Sequence, residues 1–432
     1  MLYYSLNHQS PLVDFKTATI NGQAPDKGLY FPEIIPQLPA AFFAEMGKLS
    51  NEEVAFQVIK PYVGDSIPED ILFQIVTETI NFSIPLVKVN DDVAALEMYH
   101  GNTLAFKDVG ARFMSRCLGY FVKDSSKKVT VLVATSGDTG GAVADGFFGV
   151  EGVDVVILYP SGKVSSVQEK QLTTLGNNIH ALEVKGTFDD CQQLVKTAFA
   201  DTELSSDLFL TSANSINVAR WLPQQFFYFF AYKQWTDKSM PPVISVPSGN
   251  FGNICSGLLA MRSGLPVQHF IAACNVNDVV PRYMSGLEYK PLKAVPTLSN
   301  AMDVGDPSNF VRILEMFNNA NSSLSAVFSA VSFTDNETRD TIKNVYNDYG
   351  YLLDPHGAIG FMGLKNYLNV HPGRKGIFAE TAHPIKFYDV VEPIIGHQIE
   401  LPVSIESIMH KEKKSTLINP TYNDLVDYLK EL

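Results

Sequence analysis

The chain has 432 residues, of which 46% are hydrophobic and 18% charged, and its formal net charge is −13. These values are typical of a folded globular protein and exclude the disordered class. The acidic balance argues against non-specific binding to nucleic acid or to an anionic membrane, while a few local basic groups would still suffice for a small anionic ligand.

Targeting and metal-binding patterns are missing from the sequence. No apolar stretch approaches the roughly 20 residues that span a bilayer, and the first residues lack the pattern of a secretory signal. The cysteines neither pair as C-x-x-C nor show zinc-like spacing with histidine; they are Cys117, Cys191, Cys255 and Cys274. We therefore expect reduced, buried thiols, no bound metal, no membrane or nucleic-acid partner, and a cytoplasmic location.

The domain prediction has three parts. Residues 1–85 mix turn signals with helical pieces such as "PEDILFQIVTETI", which predicts a separate α-rich N-terminal domain. Residues 86–390 are predicted to hold two α/β subdomains, a smaller one at about 120–215 and a larger one formed by the remainder. Residues 391–432 are left as a C-terminal segment.

The central region alternates short apolar strands with helical patterns. Its predicted strands are "VTVLVA", "VDVVILYP", "IHALEV", "VISV", "HFIAAC" and "GIFAET". The long stretch from "DNETRDTIK" to "GLKNYL" is predicted to be helical. Buried strands that alternate with helices predict an α/β fold, with mainly parallel sheets covered by helices on both faces.

Lys107 in "HGNTLAFKDVG" precedes a helical pattern, so it is predicted in or just before the first helical turn. A helix start disfavours a cation, and the neighbours Leu104, Ala105 and Phe106 are apolar. A solvated surface lysine is the ordinary alternative. However, a lysine whose ammonium form is disfavoured can act as a nucleophile toward a carbonyl.

Two glycine-rich loops follow predicted strands, "TSGDTGG" at Thr135–Gly141 and "SGNFGN" at Ser248–Asn253. Each leads into a predicted helix, whose first N–H groups would bind phosphate or carboxylate. Each is also explained by a simple tight turn, and neither matches a nucleotide-binding motif. Together with Lys107 they suit pyridoxal phosphate, which needs a lysine, a phosphate cradle and a partner at its ring nitrogen.

Several stretches resemble threonine synthases of the bacterial and fungal branch, which are pyridoxal-phosphate enzymes of the tryptophan-synthase-β fold type. They are "GNTLAFKDVGARFM", "ATSGDTGGAVADGF", "NSINVAR", "SVPSGNFGN", "TLSNAMDVGDPSN" and "ETAHPIKF". The resemblance implies fold type II, with two open, mainly parallel twisted sheets flanked by helices, plus an additional N-terminal domain. One departure is Asn102, where the family pattern has proline.

The resemblance also implies roles for individual residues. Lys107 would form the Schiff base with the cofactor and then act as a base. The other cofactor-binding residues implied are Gly249, Asn250, Phe251, Gly252 and Asn253 at the phosphate, Thr381 at the pyridine nitrogen, and Asp138 near the ring. The substrate-binding residues implied are Ser136, Gly137 and Thr139 at the carboxylate, and Asn214, Ser215 and Arg220 at the substrate phosphate.

Local sequence leaves simpler readings of three of these residues open. Asp138 and Thr381 would both fit as turn or cap residues. In "NSINVAR", a helix cap followed by a surface arginine is the simpler reading of Arg220.

The implied activity is that of a lyase that converts O-phospho-L-homoserine and water to L-threonine and phosphate, the last step of threonine biosynthesis. The expected partner is that small-molecule substrate, and the expected state is a monomer or homodimer. Two alternatives stay open at this point: a serine or threonine dehydratase of the same fold, and a non-catalytic α/β protein that binds a small anion.

Overall fold

The structure is a computed structural model that describes residues 1–123 and 128–432, with side chains described outside 205–207. Its strands are β1 (Leu2–Ser5), β2 (Val13–Asp14), β3 (Tyr30–Pro32), β4 (Leu86–Lys88), β5 (Val93–Glu97), β6 (Val129–Ala134), β7 (Val153–Pro160), β8 (Ile179–Val184), β9 (Phe209–Thr211), β10 (Val243–Pro247), β11 (His269–Cys274), β12 (Phe328–Ser332), β13 (Gly376–Glu380) and β14 (Thr416–Ile418).

The helices in the same ranges are α1 (Phe15–Asn21), α2 (Ala40–Glu45), α3 (Asn51–Val63), α4 (Glu69–Thr79), α5 (Lys107–Val122), α6 (Asp138–Phe147), α7 (Ser166–Thr173), α8 (Phe188–Ala200), α9 (Thr202–Asp207), α10 (Val218–Trp221), α11 (Gln225–Gln234), α12 (Gly252–Arg262), α13 (Val279–Met284), α14 (Phe310–Met316), α15 (Asn321–Ser325), α16 (Asp335–Tyr349), α17 (Pro355–Val370), α18 (Tyr388–Ile395), α19 (Val403–Met409) and α20 (Tyr422–Lys430). Short 3₁₀ turns lie at Met46–Lys48, Gly64–Ser66, Leu222–Gln224, Asn300–Met302 and Pro384–Phe387.

Two mainly parallel sheets organise the molecule, as predicted. The large sheet has the strand order β12-β11-β10-β13-β5-β4, and its strands are parallel except for β4, which runs antiparallel to β5. The small sheet has the order β14-β8-β7-β6-β9 and is parallel. Strands β6, β7, β10 and β13 are buried along their whole length, which explains why they read as continuous apolar runs in the sequence.

The N-terminal region also contains a small sheet that the sequence analysis missed. Strands β2, β1 and β3 pair antiparallel in that order and accompany helices α1 to α4. Tyr3 and Tyr30 are fully buried in this sheet. The strands are only two to four residues long, so they carry no measurable alternation of apolar and polar residues.

The helical stretch predicted near residues 335–368 is two helices. Gly350 adopts the left-handed conformation at φ 66° and ends α16. Asp354 then caps α17 by accepting from Gly357 N, and Pro355 occupies the first helical position. A glycine at a helix end and a proline at the next helix start are strong boundary signals. The predicted helical segment is therefore helical on both sides of a short break at residues 350–354.

Residues near the C-terminus complete the small sheet. Strand β14 pairs in parallel with β8, with Leu417 opposite Glu183. Leu425 and Leu429 of α20 are buried in the same apolar cluster as Leu182 of β8. Within the described ranges, no helix is long and apolar enough to cross a membrane.

Candidate active site

A short backbone bridge brings Lys107 next to the end of β13. Phe106 N donates to Thr381 O at 2.9 Å, and His383 N donates to Leu104 O at 3.0 Å. These bonds form an isolated antiparallel pairing between the segment before α5 and the segment after β13. Lys107 and Thr381, more than 270 positions apart in the chain, are therefore held at the same edge of the large sheet.

Lys107 is the first residue of α5, where it was predicted. Its side chain is partly buried, and its Nζ lies 5.8 Å from the centroid of the Phe106 ring with no hydrogen bond to any described residue. Burial lowers the pKa of Lys107 below its usual value; Asp138 opposes this shift, whereas Lys386 and Arg220 add to it. An amine that loses its proton more readily is suited to attack a carbonyl and to accept a proton from carbon.

The loop at residues 248–253 forms an anion cradle at the carboxyl end of β10. The backbone N–H groups of residues 249–253 have no hydrogen-bond acceptor in the described part of the chain. Phe251 adopts the left-handed conformation at φ 61° and directs the chain into α12. Five consecutive unpaired N–H groups at a helix start fit a phosphate.

Gly249 shows why this loop needs small residues. A Cβ added there would lie 2.5 Å from Cα of Met302, which is closer than two non-bonded carbon atoms can approach. The glycine therefore allows the loop and the 3₁₀ turn at Asn300–Met302 to touch through their backbones.

A second anion site lies after β6. Thr135 Oγ1 accepts from Gly137 N at 3.0 Å and from Gly140 N at 2.9 Å, which fixes the turn. Gly137 has φ 140°, a conformation that favours glycine. The backbone N–H groups of Ser136, Asp138 and Thr139 have no acceptor among the described residues, so they can bind a carboxylate.

Asp138 is more than a turn residue. Its Oδ1 accepts from Lys386 Nζ at 2.9 Å and from Gln168 Nε2 at 2.9 Å, and its side chain is only 6% exposed. Burial by itself would raise the pKa of Asp138, but the charges of Lys386 and Lys107 hold it well below its usual range. The sequence analysis missed Lys386 and Gln168. Lys386 could have been predicted, because it belongs to the stretch "ETAHPIKF" that carries part of the family resemblance.

Arg220 is a buried cation without a carboxylate partner among the described residues. It is 3% exposed, its Nη1 donates to Ala213 O at 2.8 Å, and its Nε has no hydrogen-bond partner. Burial lowers the pKa of Arg220 to about 10, so the group stays charged near neutral pH. A charged guanidinium with an unpaired N–H is a suitable ligand for a phosphate dianion.

Ser215 connects the "NSINVAR" stretch to the anion cradle. Its Oγ accepts from Asn250 Nδ2 at 3.0 Å and from Asn309 Nδ2 at 3.2 Å. Asn214 is partly exposed beside it, and Asn214 N donates to Ser212 Oγ at 3.3 Å. The predicted cofactor-phosphate loop at 248–253 and the predicted substrate-phosphate stretch "NSINVAR" are therefore in direct contact through Ser215.

Arg312 holds the "NSINVAR" stretch in place through hydrogen bonds to its backbone, and it was not predicted from the sequence. Its guanidinium is fully buried and donates to the carbonyl oxygens of Tyr30 at 3.0 Å and Ile216 at 2.6 Å, and to Asn309 Oδ1 at 2.7 Å. It also stacks 4.4 Å over the ring of Trp221. Its surroundings in "SNFVRIL" are ordinary helix sequence, so nothing local marks it as buried.

Comparison with known proteins decides the family. Residues 81–377 match the family model "Pyridoxal-phosphate dependent enzyme", residues 2–80 match "Threonine synthase N terminus", and residues 357–428 match "Threonine synthase, C-terminal". The chain is 44% identical to threonine synthase of Haemophilus influenzae over 407 residues, which covers 94% of each chain. The chain belongs to the threonine synthase family.

Solved structures of threonine synthases agree with this assignment. The crystal structure of the Escherichia coli enzyme superposes with a TM-score of 0.93 at 41% identity and covers 100% of both chains. The structure of pyridoxal-phosphate-bound threonine synthase from Brucella melitensis superposes with a TM-score of 0.95 at 35% identity, over 100% of this chain and 99% of that one. A tomato threonine deaminase, at 14% identity and a TM-score of 0.58, shares the fold only.

Family membership confirms the predicted fold type, cofactor class and enzyme class. The residue at which the chain departs from the threonine synthase pattern has a local explanation. Asn102 is exposed, and its Nδ2 donates to Asp145 Oδ1 of α6 at 2.9 Å. This bond ties the approach to Lys107 to α6, and proline cannot make it.

Proposed function

We propose that this chain converts O-phospho-L-homoserine and water to L-threonine and phosphate with pyridoxal phosphate bound at Lys107. The observation that carries the proposal is the buried Arg220, whose charge acts on Lys107 and whose Nε has no hydrogen-bond partner among the described residues. One anion cradle is enough for the cofactor, so a further cationic site fits a substrate that carries its own phosphate.

The cofactor would be held by Lys107 and by the loop at 248–253. In this proposal the N–H groups of Gly249, Asn250, Phe251, Gly252 and Asn253 surround its phosphate, and Asp138 lies near its ring. The bound cofactor supplies an electron sink for carbanion chemistry at the α-carbon of the substrate. Lys107 would act as the base that takes protons from the substrate carbons.

The substrate would be oriented at its two ends. Ser136 and Thr139 bind its carboxylate at the start of α6, where the helix dipole favours an anion. Gly137, which the resemblance also implied, shapes the turn between them, because its N–H donates to Thr135 Oγ1. Asn214, Ser215 and Arg220 bind its phosphate, which is the leaving group. Holding both ends places the carbon between them within reach of Lys107, so that elimination competes well with side reactions.

Thr381 would donate its hydroxyl hydrogen to the pyridine nitrogen. It is 6% exposed and follows the last residue of β13 directly. A neutral hydroxyl leaves the nitrogen unprotonated, which gives a weaker electron sink than a carboxylate partner does. A weaker sink favours elimination over transamination.

A dehydratase is the second candidate of the same fold, and the substrate phosphate separates the two. A dehydratase needs no second phosphate site, so Arg220 would have no anion to bind. The test is to incubate the purified protein and pyridoxal phosphate with O-phospho-L-homoserine, and separately with serine or threonine. We expect threonine and inorganic phosphate in equal amounts from the first, and formation of 2-oxo acid from serine or threonine alone would contradict the proposal.

The cytoplasmic location and the monomeric or dimeric state stay predictions.

A further inference from the structure

Lys386 is a buried lysine to which the proposed chemistry assigns no task. It lies in the 3₁₀ turn Pro384–Phe387, five positions after Thr381, and its side chain is fully buried. Its Nζ lies 2.7 Å from Thr103 O, 3.0 Å from Gln171 Oε1 and 2.9 Å from Asp138 Oδ1. The ammonium therefore has one acceptor for each of its three hydrogens.

The three acceptors belong to three different parts of the site. Thr103 lies four positions before Lys107, Asp138 is the first residue of α6, and Gln171 lies on α7. Lys386 itself follows β13 of the large sheet, whereas α6 follows β6 of the small sheet. One ammonium group thus joins the segment that carries Lys107 to the loop that is proposed to bind the substrate carboxylate.

Side chains of the same hydrogen-bond network also pack against the loop at residues 136–139. Gln168 of α7 donates to Asp138 Oδ1, and a Cβ added at Gly137 would lie 2.5 Å from the Gln168 side chain. Gln171 Nε2 donates to Thr103 O at 3.0 Å, which is also the acceptor of Lys386. The position of the loop relative to Lys107 is therefore set by side chains behind it.

Charge balance gives Lys386 a further task. Asp138 places a carboxylate at the start of α6, the point at which the substrate carboxylate would bind. Two carboxylates close together in a buried site repel each other strongly, and a buried charge without a partner is costly. Lys386 neutralises Asp138 and, being fully buried, has no surface with which to touch the substrate.

We propose that Lys386 is a positioning residue, which holds the carboxylate-binding loop at a fixed place relative to Lys107 and neutralises Asp138 so that the loop accepts a second anion. This inference rests on the proposed function, because it takes the loop at 136–139 to be the substrate-carboxylate site. Lys386 acts through Asp138, so removing both charges should do less harm than removing Lys386 alone.

The test compares Lys386→Met, Asp138→Asn and the double variant Lys386→Met/Asp138→Asn in the holoenzyme. Lys413→Met is the matched control, since Lys413 pairs with Glu169 of the same helix α7 at 2.7 Å but does so with its side chain 35% exposed. Three quantities are measured: KM and kcat for O-phospho-L-homoserine, and the pH midpoint of the visible absorbance of the bound cofactor.

We expect Lys386→Met to raise KM by about tenfold or more, because it leaves Asp138 as an uncompensated buried anion. The double variant should recover most of that loss, and Lys413→Met should stay near the parent. The charged groups facing Lys107 are Asp138, Lys386 and Arg220. Removing the positive Lys386 should therefore move the absorbance midpoint to higher pH, removing the negative Asp138 should move it lower, and the double variant should lie between them.

Two results would overturn the inference. One is a Lys386→Met enzyme with parental KM and parental absorbance midpoint. The other is a double variant at least as impaired as Lys386→Met, which would mean that Lys386 does not act through Asp138. If Lys386→Met fails to fold, the double variant decides alone. The inference then requires the double variant to fold and to have a KM close to that of Asp138→Asn. The absorbance arm needs bound cofactor but no turnover, so a parent that makes no threonine would contradict the proposed function and still leave Lys386 tested.

Discussion

At the scale of single residues, the site is a set of polar groups whose ordinary partners are absent from the described structure. Among the described residues, Lys107 Nζ has no hydrogen-bond partner and the buried Nε of Arg220 has no acceptor. Buried polar groups are nearly always paired in folded proteins. We propose that ligands complete both groups, the cofactor carbonyl at Lys107 and a phosphate at Arg220.

Arg220→Ala should leave cofactor binding largely intact and weaken the use of O-phospho-L-homoserine. Loss of a charged hydrogen bond to a buried phosphate costs on the order of 2–3 kcal/mol, or roughly 30- to 150-fold in kcat/KM. Steady-state kinetics measure the loss, and the visible spectrum checks the cofactor. Arg282→Ala serves as control, since Arg282 pairs with Asp278 on the surface. A normal kcat/KM in Arg220→Ala would remove this residue from the substrate site.

Thr381→Val should lower both turnover and cofactor affinity, because valine keeps the shape of threonine but cannot donate a hydrogen bond. Thr381→Ser, which keeps the hydroxyl, should retain most of both. Thr381→Asp should increase 2-oxo acid side products, since a carboxylate would hold the pyridine nitrogen protonated and strengthen the electron sink. Cofactor titration and product analysis measure these effects. A valine variant equal to the parent in spectrum and threonine formation would show that Thr381 only caps its turn.

At the scale of elements, the carboxyl ends of the parallel strands determine where the site forms. The loop after β10, the loop after β6 and the turn after β13 each carry groups proposed to bind a ligand. The sequence could predict these loops because buried strands and glycine-rich turns are local signals. It could not predict Gln168 and Arg312, which reach the site only through contacts between distant segments.

Gly249→Ala tests the close backbone contact below the anion cradle. The added Cβ would lie 2.5 Å from Met302 Cα and 3.1 Å from Ala301 O, and backbone atoms cannot rotate away as a flexible side chain can. We expect the cradle to shift and the affinity for pyridoxal phosphate to fall by about tenfold or more. Gly47→Ala is the control, because nothing lies within 4 Å of its added Cβ. Equal cofactor affinity in both variants would contradict a cradle built by this contact.

At the scale of the whole molecule, the N-terminal region is coupled to the site. Arg312 of α14 donates two hydrogen bonds to Tyr30 O of β3 and one to Ile216 O in the "NSINVAR" stretch. The predicted boundaries near residues 85 and 390 stay predictions. Side chains nevertheless connect the N-terminal sheet to the proposed substrate-phosphate site.

Arg312→Met should destabilise the protein, because it removes the arginine donors from the buried carbonyl of Tyr30 and from the partly buried carbonyls of Ser215 and Ile216, while keeping a long apolar side chain. Unsatisfied buried acceptors cost about 1–3 kcal/mol each, so we expect a loss of roughly 2–5 kcal/mol in the free energy of unfolding. Denaturant unfolding of the apo protein measures it. Arg262→Met is the control, since Arg262 is exposed and stacks 5.6 Å over the ring of Phe317. A loss no larger than that of the control would show that Arg312 does not hold these segments together.

The central claim is that Lys107 is the lysine that carries the cofactor, and reductive labelling tests it most directly. The protein is loaded with pyridoxal phosphate, reduced with borohydride and digested, and the modified peptide is identified by mass spectrometry. We predict a single pyridoxyl group on the peptide that contains Lys107, because Lys107 follows the residue that pairs with Thr381 and its amine has no hydrogen bond to any described residue. A stoichiometric label on Lys386 or on any other lysine would contradict the account.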